Sequence, residues 1–227
     1  MAANSNIPQW QLFNDRDAQA QVLAAHVANA LQQDLAQKAS ATLLVSGGRS
    51  PARFFECLAR FDLDWHRVWV MPVDERANAP APDSRNEWLI RHHLLTDYAS
   101  CAHFIPLDQP LDAPVLKERV CWPPTVAVLG MGEDGHAASW FPGDPASMSA
   151  LQGDGAPAVV ATHASSAPLE RLTLNWAAVA AARQRVLLIT GDAKRSLLER
   201  IEAEGADWHQ YPVVRLFSAP LTVFWSP

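Results

Sequence analysis

The stretch Thr125-Val126-Ala127-Val128-Leu129-Gly130-Met131-Gly132-Glu133-Asp134-Gly135-His136 constrains this chain more than any other. An apolar run of that length, closed by glycine, reads as a buried strand of an α/β sheet. Glycines let the backbone turn sharply and come close to a ligand. The turn then delivers His136 to the crevice at the strand's carboxyl end, where α/β proteins bind their substrates. Histidine is the side chain suited to proton transfer near neutral pH, and Asp134 beside this one can orient the ring as a base. That combination suits acid–base chemistry on a small anion. The remaining histidines, His26, His66, His92, His93, His103, His163 and His209, read as structural.

Elsewhere, strands and helices alternate. Leu23, Val27, Leu31 and Leu35 recur every fourth residue and predict a helix over 15–38. Strands are expected over 41–45, 67–73, 103–107, 125–130, 158–162, 185–190, 213–217 and 222–225. Ser50-Pro51 opens a helix with Ser50 as its cap, Ser84 starts a capping box running to about Leu95, and helices follow over 113–120 and 175–182. Asp192 caps a further helix that Gly205 ends. The stretch 144–157, rich in Gly, Pro, Ser and Ala, reads as a long loop. The expected architecture is a mostly parallel sheet flanked by helices on both faces, a modified Rossmann-type α/β fold in one domain over 1–227.

Composition narrows the function. The net charge of −6 argues against nucleic acid or an anionic membrane as partner. Cys57, Cys101 and Cys121 have no paired spacing, which points to reduced thiols rather than a disulfide framework or a zinc site. No stretch is apolar enough to span a membrane, and the first residues lack the regions of a signal peptide, so a cytoplasmic protein is expected. No metal and no cofactor are expected.

Four polar segments each follow a strand directly: Ser46-Gly47-Gly48-Arg49-Ser50, Asp74-Glu75-Arg76, Gly130 to His136, and Gly191 to Lys194. In a parallel sheet all such ends share one edge, so these groups should converge. The first segment offers inward N–H groups and a helix N-terminus to an anion, although a plain helix-capping turn reads equally well. Lys194 sits in the first turn of its helix, where the macrodipole disfavours a cation unless an anion lies beside it. A solvated surface lysine is the alternative. Arg171 is a second candidate cation, or a surface partner of Glu170 or another carboxylate. Asp74 and Glu75 could hold sugar hydroxyls or simply fix the following loop. Trp140 could line the pocket. Gly130-Met131-Gly132-Glu133-Asp134-Gly135 also matches a dinucleotide fingerprint, but Phe141-Pro142-Gly143 interrupts the helix that motif requires.

These segments, taken in order with Ser84, Asn86, Ala138-Ser139, Phe141-Pro142-Gly143 and Arg171-Leu172-Thr173, resemble the 6-phosphogluconolactonase family over about residues 40–200. The resemblance implies a fold shared with sugar-phosphate isomerases and deaminases. It implies that His136 is a general base activating water, and that the Ser46–Ser50 turn, Arg171 and Lys194 hold a 6-phosphate. Departures are Arg49 where the family often has a small hydroxyl residue, the loop Ala77-Asn78-Ala79-Pro80 being longer than the usual pattern, Ser84-Arg85-Asn86 splitting an expected Ser-Asn pair, and Ala137 replacing a usual threonine.

The expected reaction is hydrolysis of 6-phospho-D-glucono-1,5-lactone in the pentose phosphate pathway. His136, Asp134 and Arg76 are its expected catalytic residues; Ser46, Gly47, Gly48, Arg49, Ser50, Asp74, Asn86, Gly132, Arg171 and Lys194 are the expected substrate contacts. A monomer or weak homodimer is expected. A hexosamine-6-phosphate deaminase is the alternative enzyme, but similar deaminases carry a glutamate after the histidine and Ser139-Trp140-Phe141-Pro142-Gly143 has no carboxylate. A non-enzymatic sugar-phosphate sensor is the third reading, and the first 40 residues offer no basic helix pair for DNA.

Overall fold

The computed structural model describes residues 7–48, 50–152, 155–166 and 168–227. In chain order the elements are β1 (Gln9–Leu12), α1 (Arg16–Leu35), β2 (Ala41–Val45), α2 (Ala52–Ala59), β3 (Val68–Pro72), β4 (Asp74–Arg76), α3 (Asn86–His93) and β5 (His103–Phe104). There follow α4 (Ala113–Arg119), β6 (Val126–Leu129), α5 (Pro145–Leu151), β7 (Val159–His163), β8 (Glu170–Leu174), α6 (Trp176–Ala180), β9 (Gln184–Thr190), α7 (Asp192–Glu204) and β10 (Thr222–Ser226).

β2 and β6 are buried at every position, as continuous apolar runs require when both sheet faces are covered. Seven strands pair in the order β1-β10-β9-β6-β2-β3-β5, each pair parallel. Successive side chains leave on opposite faces. Leu43, Val45, Val126 and Val128 meet Leu23, Val27 and Leu31 of α1 and Phe54, Phe55 and Leu58 of α2. Leu44, Ala127 and Leu129 meet Leu116 of α4, Val179 of α6 and Leu197, Leu198 and Ile201 of α7. Helices therefore lie on both faces, as expected. Asp34, fully buried in α1, accepts from Thr125 Oγ1 at 2.5 Å and pairs with Arg183, tying α1 to the amino ends of β6 and β9. Among the described residues no helix is long and apolar enough to cross a membrane.

A second, antiparallel sheet of β4-β8-β7 was not expected. β4 leaves β3 after Val73, and its charged Asp-Glu-Arg triplet carries no apolar alternation by which to recognise a strand. β1 was likewise missed, and the expected strand over 213–217 is part of a 3₁₀ helix, Pro212–Ser218, whose opening proline favours a helical first turn. The expected loop over 144–157 contains α5, because Asp144 accepts from Ser147 N at 2.9 Å and Pro145 occupies the first helical position.

Two helix starts also differ from expectation. Pro51, not Ser50, is the N-cap of α2, and Ser50 Oγ lies 3.2 Å from Thr190 Oγ1 instead. Gly191, at φ 88°, is the N-cap of α7, and Asp192 is its first helical residue. The Ser84 capping box is replaced by a remote cap. Fully buried Glu75 accepts from Asn86 N at 2.9 Å and Glu87 N at 2.8 Å, which satisfies the start of α3. Its Oε1 also accepts from Arg76 N at 2.8 Å.

Glu75 is thus a structural carboxylate. Glu75→Ala leaves the N–H groups of Arg76, Asn86 and Glu87 without their acceptor, and is expected to cost about 3 kcal/mol in urea unfolding. A loss below about 1 kcal/mol would mean that water replaces the carboxylate.

Candidate active site

β3, β2, β6 and β9 are neighbours in the parallel sheet, so their carboxyl ends open side by side. A cleft of about 350 Å³ lies across them. Its walls hold Ser46, Gly47, Gly48 and Ser50 from the end of β2, Asp74 and Arg76 from β4, and Asn86 from α3. Gly132, Asp134 and His136 follow β6, Arg171 comes from β8, and Lys194 from α7. Arg49 lies outside the described residues. The convergence inferred from strand direction is therefore found in the geometry.

The turn after β6 is closed by Gly132 N donating to His136 O at 2.9 Å. No helix follows until Pro145, which rules out the dinucleotide arrangement. His136 Nδ1 lies 2.6 Å from Asp134 Oδ1, and the same oxygen accepts from His136 N at 3.1 Å. A carboxylate at Nδ1 fixes that nitrogen as the N–H donor and leaves the Nε2 lone pair for a ligand. A Cβ on Gly132 would stand 2.2 Å from the imidazole, so glycine is what lets the ring lie there. Burial by itself raises the Asp134 carboxyl, but the hydrogen bond and charge of His136 outweigh it and hold it below the usual carboxylate range. Phe141 packs against the imidazole with ring centres 5.1 Å apart.

Arg76, Arg171 and Lys194 line the same cleft as this pair. Arg76 and Arg171 are direct cross-strand partners in the antiparallel sheet, a like-charge pairing whose repulsion Asp74 and Glu75 partly offset. Burial first, then Arg76, lowers the Arg171 pKa, and Arg171 Nη1 is buried with no hydrogen-bond partner among the described residues. Among the described residues no ion pair joins Arg171 to Glu170, which accepts from Asn78 Nδ2 instead. Ser46 Oγ is likewise buried without a hydrogen-bond partner among the described residues. Gly47 passes so close to Asn86 that a Cβ would stand 1.9 Å from Asn86 Oδ1.

Asp74 completes the floor. Its Oδ2 accepts from Ser139 Oγ at 2.6 Å, and Asn86 Nδ2 donates to its backbone oxygen at 2.7 Å and to Oδ1 at 3.3 Å. Burial pushes its carboxyl pKa up, against the opposing pull of Ser139, Arg76, His136 and Arg171. Ser139, Phe141, Ser165 and Ser166 also line the cleft, and sequence reasoning did not single them out as contacts. Ser139 carried a legible signal, lying just past the histidine turn; Ser165 and Ser166 join two strands of which one was unrecognised. Trp140 does not line the cleft; it is fully buried and donates to Leu174 O at 2.9 Å. Among the described residues, no group of three or more His, Cys, Asp or Glu side chains is placed to hold a metal ion.

A family model described as glucosamine-6-phosphate isomerases/6-phosphogluconolactonase matches residues 14–225. The chain belongs to this family. A protein from Pseudomonas aeruginosa named 6-phosphogluconolactonase is 40% identical, over 96% of this chain and 94% of its own. Another of that name from Rhizobium meliloti is 37% identical over the full length of both chains. The crystal structure of a 6-phosphogluconolactonase from Shewanella baltica matches with a TM-score of 0.88 at 33% identity, covering 98% of this chain and 99% of that one. A monomeric glucosamine-6-phosphate deaminase, 18% identical, shares the fold at a TM-score of 0.75 over 96% of this chain and 97% of its own.

The raised Asp74 pKa has a stability consequence. A carboxyl with a higher pKa folded than unfolded makes the native state bind more protons, so stability falls as pH rises between the two values. That decline is expected in wild-type denaturation midpoints and should flatten in Asp74→Asn. An equal slope in the variant would assign the decline to another group.

Proposed function

We propose that the chain hydrolyses 6-phospho-D-glucono-1,5-lactone to 6-phospho-D-gluconate, the reaction of the oxidative pentose phosphate pathway. The observation that carries this reading is the carboxylate-paired imidazole facing a cluster of anion-binding groups in one cleft, in a chain of this family. The Ser46–Ser50 turn, Arg49 included, with Arg171 and Lys194, binds the phosphate, which relieves the repulsion between the arginines. Asn86 and Asp74 face the sugar hydroxyls.

Water held by His136 Nε2 gives its proton to the imidazole while its oxygen bonds to C1. Asp134 stabilises the resulting imidazolium, and Arg76 with donors of the turn at Gly132 steadies the oxyanion. Collapse of the tetrahedral centre breaks the bond from C1 to the ring oxygen, which takes the proton back from His136. General-base help of this kind supplies about 10²–10⁴-fold in rate. The whole chain acts as one lactonase domain, cytoplasmic, as a monomer or weak homodimer without nucleic acid.

Deamination of a hexosamine phosphate is disfavoured by the residues beyond His136. The first carboxylate after it, Asp144, is engaged by Ser147 N at 2.9 Å and Ser147 Oγ at 2.6 Å as the cap of α5. With freshly prepared lactone, His136→Ala is expected to lose about 10²-fold or more in kcat. Lys194→Ala should raise KM far more than it lowers kcat. Near-normal hydrolysis by a folded His136→Ala protein, or ammonia release from glucosamine 6-phosphate, would overturn the reading.

A further inference from the structure

We infer that Tyr211 is a positioning residue for this hydrolysis: its ring, seated on Gly135, keeps the turn bearing Asp134 and His136 in its reactive shape. The inference rests on the reading of His136 as the base. Gly135 has φ 79°, and a Cβ there would stand 2.6 Å from Tyr211 Cδ1 and 3.2 Å from Tyr211 Cβ. The aromatic ring therefore lies directly on bare backbone. Beside it, Val213 N donates to Gly135 O at 2.9 Å, and Val213 is fully buried.

The turn's own bonds, Gly132 N to His136 O and Gly135 N to Gly132 O at 3.2 Å, fix its local form. They do not fix its orientation against the rest of the cleft. Tyr211 and Val213 contribute to that, because both pack into the core cluster while the bridges Met131–Ala137 and Ala137–Trp140 hold the other side of the turn. Tyr211 stands behind the turn and is not among the cleft walls. Its effect on rate is therefore expected to pass through Asp134 and His136. Their 2.6 Å hydrogen bond tolerates little rotation of either side chain.

The test compares wild type, Tyr211→Ala, Tyr211→Leu and Tyr211→Phe, each checked for folding by thermal unfolding. Tyr211→Ala is expected to lower kcat by about tenfold to hundredfold with KM little changed, as misplacement of a catalytic group does. The acidic limb of its kcat/KM profile should move to lower pH, because a loosened Asp134 no longer supports the imidazolium. Tyr211→Phe, which keeps the ring, should restore both. Should Tyr211→Ala not fold, Tyr211→Leu fills the space without a flat ring and carries the same expectation. Wild-type kcat with an unmoved pH limb in the Ala or Leu variant would overturn the inference, as would parallel loss in kcat and KM with that limb unmoved. His136→Ala measured alongside separates the two readings: an active His136→Ala protein removes the base, whereas an inactive one beside a normal Tyr211→Ala removes the clamp alone.

Discussion

Parallel pairing of β9, β6, β2 and β3 decides where every charged group of the site can stand. Each strand runs toward the same edge, and polar or glycine residues follow each of them closely. Groups distant in sequence, from Ser46 to Lys194, thereby share one cleft. The register is secured elsewhere, by apolar side chains on both faces and by the buried Asp34 contacts at the opposite ends of the strands. Packing below frees the upper edge for chemistry.

That edge collects arrangements a fold would avoid on stability alone. Arg76 faces Arg171 across two strands, Lys194 stands in the first turn of a helix, and Asp74 is held where burial disfavours its charge. Buried Ser46 Oγ and Arg171 Nη1 have no partners among the described residues. On the proposed reading, a phosphorylated ligand lies between Arg76 and Arg171, and sugar hydroxyls face Asp74. The carboxyl groups divide by environment: Glu75 caps α3, Asp74 lies on the cleft floor, and Asp134 is matched to the imidazole.

Legibility in the sequence followed the strength of the physical signal. β2, β6 and β9 were readable because strands covered on both faces carry apolar runs such as Leu43–Val45, Val126–Leu129 and Val186–Ile189, and the turns after them could be placed without knowing any contact. The pairing of Asp134 with His136 was readable because it is local. β4 was not, since Asp74-Glu75-Arg76 looks like a loop until β8 is found beside it. Glu75 as a cap for α3 was equally hidden, because its partners lie beyond an intervening loop and a 3₁₀ turn. Ser50 differs from its expected role for a comparable reason: its hydroxyl meets Thr190 across the sheet edge rather than its own helix. Long-range contacts carry no mark in a single sequence.

The most direct measurement of the central claim is a crystal structure of the protein with 6-phosphogluconate bound. The account predicts the phosphate against the Ser46–Ser50 turn, Arg171 and Lys194, with the C1 carboxylate beside His136 Nε2. A ligand bound with its phosphate at His136, or bound outside this cleft, would contradict it.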